Sequence, residues 1–439
     1  MRAGRGTHEM LAGFYPIAML VLSLTLAACD QDSGEQAVSL VDWSPDRSRA
    51  ALVPNFMEED PGVSGIWVYD FKAGRATHIL AAPEGAVCTH PQWSPAGDEL
   101  LFGMVFDPED DSSKNEESIA FSVYAIRPDG QALRRLADSQ TTTPENFVMR
   151  NAISWGPTSG TILFQQSAGE RVTAMQLDLA SGEVRQYLAE SSDSYSLEPS
   201  PDRRRVAALL YYKESDSARL YLADFAATAW SLVETLEVDA DLMKTHSQVI
   251  YWSPDSTEIV IPEKAKATAG EKKAGGYLRL FDVIAGSSRR FPTGEPSPTI
   301  LWNRDSSAVV FAGTSGSAAG IFRADISSGN VSMIVPGPEN HLLSWNHQDE
   351  RIYFFRTHQP GASQPADIER LEHRLFSCDL EGHGGRSLGR LYTSGNPFWN
   401  LSPDGNQMIL FEDAEAPDLL FLATGGADRI RLQDGPLWP

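Results

Sequence analysis

Trp43-Ser44-Pro45-Asp46 returns as Trp252-Ser253-Pro254-Asp255. Worn copies stand at Trp93-Ser94-Pro95-Ala96-Gly97 and Trp155-Gly156-Pro157. The turn persists without its Trp at Pro199-Ser200-Pro201-Asp202 and Leu401-Ser402-Pro403-Asp404. Trp302-Asn303-Arg304-Asp305 and Trp345-Asn346-His347 keep the Trp but lose the Pro. The eight anchors at 43, 93, 155, 199, 252, 302, 345 and 401 lie 43 to 62 residues apart. A period in that range marks a repeat architecture.

Each unit has one internal order. A short apolar strand runs into the Trp, the Ser-Pro-Asp turn follows, and a second strand, a variable loop, a third strand, a polar turn and a fourth strand complete it. The sixth unit is the clearest, with strands expected at 299–302, 308–311, 321–324 and 331–334 around the turn Ser327-Ser328-Gly329-Asn330. Runs this short, rich in Val, Ile, Phe and Tyr and bounded by turn residues, read as strands. Third strands at 65–70, 219–224 and 277–282 share an apolar run that ends in Asp. Pro presets φ for the second position of a type I turn and Asp follows comfortably. A Gly next, as in Asp404-Gly405, suits a bulged hairpin. The Trp is large enough to pack between sheets. Helix signals are nearly absent, with one turn of helix allowed around Ile368 to His373. Four-stranded units repeated this way predict an all-β chain, a single β-propeller of about eight blades, with seven as the alternative.

The Trp-Ser-Pro-Asp-Gly turn, followed by an apolar strand and then a strand ending in Asp, resembles the TolB-like propeller repeat. The resemblance covers about residues 39–433. Related blades occur in the periplasmic TolB protein and in the propellers of prolyl-oligopeptidase and dipeptidyl-peptidase type enzymes. The resemblance therefore implies a fold strongly and an activity weakly. The chain departs from both relatives, with no separate domain expected before the propeller and no hydrolase domain after it, since Arg431 falls in the last expected strand. The first unit starts with its inner strand and the last ends with its outer strand, so closure without strand exchange is expected.

The N-terminus reads as an export signal. Arg2 and Arg5 precede an apolar run from Leu11 to Ala28, and Leu26-Ala27-Ala28-Cys29 closes it. A charged start, an apolar middle and small residues before the cut are the marks of a secretory signal. The last four residues resemble the bacterial lipobox, which implies acylation of Cys29 as the first mature residue. A transmembrane anchor is the competing reading, but the apolar stretch is short for a span. Asp30 resembles the enteric signal for retention at the inner membrane. The expected layout is a signal peptide at 1–28, a tether at 29–38, a propeller at 39–433 and a tail at 434–439.

The net charge of −23 argues against a nucleic-acid partner, because phosphate binding needs a Lys/Arg surface. Beyond Cys29 the chain has only Cys88 and Cys378, expected as buried free thiols.

Propeller alternation sends the Ser-Pro-Asp turns to one face, and the loops between second and third strands, with the links between blades, to the other. All long insertions fall on the second face. Phe106 to Ser118 is acidic (Asp107, Glu109, Asp110, Asp111, Glu116, Glu117) and Pro262 to Gly276 is basic (Lys264, Lys266, Lys272, Lys273). Arg356 to His373 is mixed, and Phe56 to Gly62 carries Glu58, Glu59 and Asp60. Loops on a rigid scaffold are where binding concentrates, so this face is the expected working face.

His90, His246 and His341 precede inner strands on the same side, with Asn151, Tyr195 and Asn340 at comparable places. They are candidates for lining a channel mouth, and the three His for a metal. No His-x-His pair supports a metal, and the Asp run at 107–111 lacks EF-hand spacing. There is no Gly-x-Ser-x-Gly elbow, no His-Glu-x-x-His and no phosphate loop. No cofactor is expected. Two functions are consistent with these features. One is a lipid-anchored, non-catalytic propeller that binds an envelope protein or peptide. The alternative is a small-ligand or metal-dependent enzyme site at the channel mouth.

Overall fold

The computed structural model describes residues 40–53, 65–83, 85–106, 119–141, 153–156, 160–168, 171–188, 190–225, 229–236, 249–264, 276–294, 296–315, 318–346, 350–358, 371–393, 398–401, 407–411, 417–421 and 428–431. The signal region, Cys29 and the tether lie outside these residues. So do 54–64, 107–118, 265–275 and 359–370, and with them most of the insertion residues singled out above.

Every described element is a strand or a turn, and the strands form eight four-stranded antiparallel sheets. The chain is an all-β propeller of eight blades: 40–81, 86–141, 153–186, 194–236, 251–292, 296–336, 340–393 and 398–431. Each blade takes four consecutive strands in sequence order, the first and eighth included, so no blade borrows a strand from the other end of the chain.

Second strands have a reason to be apolar on both sides. Blades stack face to face, so a middle strand is covered twice and alternation disappears, as in any sheet covered on both faces. Arg205–Tyr212 is buried from Val206 onward, whereas the fourth strand Val184–Gln186 is exposed throughout. The core therefore lies between blades. Ile66 and Val68 of blade 1 meet Phe102 and Met104 of blade 2. Leu209 and Leu220 of blade 4 meet Ile259 and Ile261 of blade 5. Each such side chain contributes about 1.5–3 kcal/mol by leaving water.

The repeated turn is a type I turn closed by a left-handed residue. Arg47 N–H donates to Ser44 O (2.8 Å), and Ser44 N–H donates to Arg49 O (2.9 Å). Arg47 has φ 62°, Arg203 54°, Ser256 62° and Ser306 61°, where blade 2 has Gly97 at 73°. This is the bulged hairpin that favours Gly at its last position.

The Trp does more than fill space. In four blades the anchor indole N–H donates to a backbone carbonyl in the inner strand of the preceding blade. Trp93 reaches Asp42 O (3.1 Å), Trp155 reaches Gln92 O (3.1 Å), Trp252 reaches Glu198 O (2.9 Å) and Trp302 reaches Tyr251 O (3.0 Å). The acceptor is always the residue before the neighbour's anchor. Blade 4 has Pro199 at its anchor and cannot make this bond to blade 3. There the clamp moves outward: Tyr187 Oη donates to Phe225 O (2.9 Å) and Trp230 Nε1 donates to Tyr187 O (2.5 Å).

Several expected boundaries differ, the start of the mixed insertion among them, since Arg351–His358 is one strand that runs through Arg356. The helical turn around Ile368 to His373 is not where His373 lies, because Leu371–Cys378 is a strand that pairs with Arg351–His358. His373 is buried, with Nδ1 3.0 Å from Thr357 Oγ1. The basic insertion also starts later than Pro262, because Glu258–Lys264 is one continuous strand. Its Glu263 is buried, 3.2 Å from Arg279 and 3.0 Å from Arg290, and Arg279 also pairs with Glu234 of blade 4. An ion network, not a loop, occupies that position.

Candidate functional site

Antiparallel order gives the propeller two unlike ends. At the turn end, short hairpins close on themselves. Ser44 Oγ donates to Asp46 Oδ1 (2.7 Å) and accepts from Arg49 N–H (2.9 Å). Ser200 and Ser253 donate likewise to Asp202 and Asp255 (2.6 Å each). In blade 6 the Asn303 amide does the same for Asp305 (2.5 Å) while accepting from Ala308 N–H (2.9 Å). These bonds are charge-assisted, and the Ser44 hydroxyl, then the Ser48 hydroxyl and amide, hold the Asp46 carboxyl down to about 2. The Ser and Asp side chains are thus committed to the turn, and none is poised as a nucleophile and base. The next turn along stitches on. Ser256 Oγ accepts from Asp202 N–H (3.1 Å) and Ser306 Oγ from Asp255 N–H (3.3 Å).

At the opposite end, every long connection begins and ends. The strand termini flanking 54–64, 107–118, 142–152, 237–250, 265–275 and 359–370 all lie there. The acidic residues 58–60 and 107–117, and Lys266, Lys272 and Lys273, fall outside the described residues.

The channel-mouth candidates fall in different settings. His90 and His341 stand inside first strands, Ala86–Trp93 and Asn340–Asn346, rather than before them. Both strands start early and absorb the extra length as irregularities of register. One lies between Thr89 and Gln92, where Pro91 cannot donate to a ladder, and the other between Leu342 and Ser344. Desolvation by the neighbouring protein lowers the His341 imidazole below its usual range, against the opposing charge of Glu339. His246 and Asn151 lie outside the described residues. Tyr195 and Asn340 do not line an opening, for both are buried. Tyr195 packs into the core between blades 3 and 4, and burial raises its phenol far above the usual value. Among the described residues, no three His, Cys, Asp or Glu are grouped to hold a metal ion.

A polar cluster that sequence reasoning passed over sits at this end between blades 3 and 4. Glu190, in the link, accepts from Arg219 (2.9 Å) and from Tyr221 Oη. The Arg219 guanidinium lies 4.6 Å above the Tyr212 ring. Burial alone would raise the Glu190 carboxyl, but the hydrogen bonds outweigh it and hold it below the usual range. The only sequence hint was Tyr211-Tyr212 followed by Arg219 and Tyr221 on one face of the next strand. A cavity of about 360 Å³ lies elsewhere, on the rim between blades 2 and 3, floored by Phe164 and Leu177.

Cys88 and Cys378 are free and buried, one in blade 2 and one in blade 7. Desolvation pushes their thiols up to about 12 and about 11.

No protein-family model matches the chain. No curated protein matches it. Among solved structures, the dipeptidyl peptidase 4 of Porphyromonas gingivalis is 11% identical, with a TM-score of 0.53 over 94% of this chain and 61% of that one. TolB from Acinetobacter baumannii is 15% identical, with a TM-score of 0.37 over 79% of each chain. The tricorn protease is 10% identical, with a TM-score of 0.46 over 92% of this chain. The chain spans 44% of the tricorn protease and 61% of the peptidase, less than two thirds of either. At such identities the likeness to the peptidase is one of fold alone.

Proposed function

We propose that this chain is a lipid-anchored propeller of the bacterial envelope that holds another envelope protein or peptide on its insertion end without catalysing a reaction. One observation carries the reading, namely the inequality of the two ends. Turn-end polar groups are spent on closing hairpins and joining neighbours, whereas all long connections emerge at the other end of a rigid scaffold. The scaffold can tolerate such loops because the blades are held by clamps and cores lying below them.

The anchor rests on Leu26-Ala27-Ala28-Cys29 and its likeness to a lipobox. Acyl chains on Cys29, each CH₂ worth about 0.8 kcal/mol in lipid, would keep the propeller at the exported side of a membrane. The likeness of the Trp-Ser-Pro-Asp turn to the TolB-type repeat agrees with an envelope location.

Two experiments test this. Membrane fractionation of Cys29→Ser should release the protein into the soluble fraction, and continued membrane association would remove the anchor. Replacing 107–118, 265–275 and 359–370 by short Gly-Ser turns should abolish capture of the partner while the blades still unfold at the original midpoint. Undiminished capture would remove the assigned face.

A further inference from the structure

In a chain of net charge −23, blade 7 places arginines side by side across its sheet. Asn340 stands opposite Arg356, Arg356 opposite Arg374, and Arg374 opposite Arg390. Residues paired across strands share one face, and neighbouring strands lie about 4.8 Å apart. Arg356 lies at the insertion end, three residues before the connection 359–370 begins.

Arg356 is held in an unusual way. Its Nε donates to Asn340 Oδ1 (3.1 Å), and its guanidinium carbon lies 5.3 Å from the Phe376 ring centre. Asn340 is 3% exposed and cannot swing away, because its amide donates to Pro336 O (2.8 Å) and Gly337 O (2.9 Å). Glu339 approaches the same Nε at 3.6 Å, too far for a hydrogen bond. The contacts therefore use the Nε edge and the flat face. Neither terminal nitrogen makes a hydrogen bond among the described residues, and about a third of the side chain (32%) is open to solvent.

A guanidinium fixed by its face and inner nitrogen, with its two NH₂ groups presented outward, suits a planar anion that accepts two bonds. Its rotamers are already restricted by the fold, so little further side-chain freedom is lost on binding. Glu339 offsets part of the positive charge, which favours a singly charged carboxylate over a doubly charged phosphate.

We propose that Arg356 is a recognition site for a carboxylate of an acidic peptide segment. This deepens the scaffold function and rests on that reading for its biological partner.

The test is anisotropy of fluorescein-labelled, end-blocked hexaglutamate titrated with the full-length protein in detergent. Wild type binds, and Arg356→Ala weakens binding at least about tenfold, the loss expected when charged hydrogen bonds go. Arg356→Lys keeps the charge but not the fork and stays weaker than wild type. If Arg356→Ala fails to fold, Arg356→Gln carries the test, with its unfolding midpoint as the check. No binding by wild type, or equal binding by the folded variant, overturns the site. Inorganic phosphate displacing the peptide where equal acetate does not overturns the carboxylate class. Arg356→Ala that still captures the envelope partner, while the loop-replaced chain does not, overturns this site and leaves the scaffold standing. Hexaglutamate bound through Arg356, with no envelope partner captured by any form, supports the site and removes the scaffold.

Discussion

Arg203 and Ser256 occupy the same left-handed position in successive turns, with φ of 54° and 62°, yet replacing each with Gly should have different consequences. A non-Gly residue there costs roughly 1–2 kcal/mol. Gly removes that cost but adds freedom to the unfolded chain, worth about 0.5–1 kcal/mol. The remainder, about 0.5–1 kcal/mol of stabilisation, should appear in full for Arg203→Gly. Among the described residues its exposed side chain reaches only Gly156 O, at 3.4 Å. Ser256 is buried, and its Oγ accepts Asp202 N–H from the previous blade at 3.1 Å. Losing that bond costs about 1 kcal/mol. Ser256→Gly should therefore be neutral or slightly destabilising. Urea midpoints at unchanged slope measure both. A destabilised Arg203→Gly, or a Ser256→Gly gain equal to that of Arg203→Gly, would refute the account of these turns.

Further expectations concern the clamps, the carboxylates and the thiols. Trp302→Phe strands the buried Tyr251 carbonyl and removes ring area, so it should destabilise by about 2–4 kcal/mol in the same urea assay. A loss below about 0.5 kcal/mol would deny the indole its role between blades. For Asp46 the folded value is depressed from 3.8 to about 2, so its contribution is present above the unfolded value and fades as pH falls from about 4 to 2. Asp46→Asn should flatten that part of the stability profile, and an unchanged profile would count against it. Cys88 and Cys378, with thiols raised to about 12 and about 11, should resist a thiol reagent at pH 8 until urea unfolds the chain. Rapid labelling of either in the native protein would contradict its burial.

The eight blades were legible because the turn is local chemistry. Ser, Pro and Asp act within five residues, so each copy announces a hairpin wherever it falls. The third strand ending in Asp was legible for the same reason, since Asp282 accepts from the backbone of Ile284 and Ala285 just beyond it. What distant strands decide was not legible. His90 looked like material before a strand, but pairing on either side draws it into Ala86–Trp93. His373 looked like loop, and only its partner Thr357 on the adjoining strand explains its burial. Trp230 lies in no repeat phrase, yet it replaces the clamp that Pro199 removes. The same limit applies to the site. Alternation alone assigns the long connections to one end, but the settings of Glu190 and Arg356 depend on residues 16 to 31 positions away.

The central claim is that partners meet the insertion end and not the turn end. Its most direct measurement is site-specific photocrosslinking in the native envelope. A photoreactive residue at Ser215 or Glu339 probes the insertion end, and one at Arg47 or Ile284 probes the turn end. The account predicts one near-stoichiometric adduct from the first pair and none from the second. Adducts from Arg47 or Ile284 alone, or from all four positions alike, would contradict it.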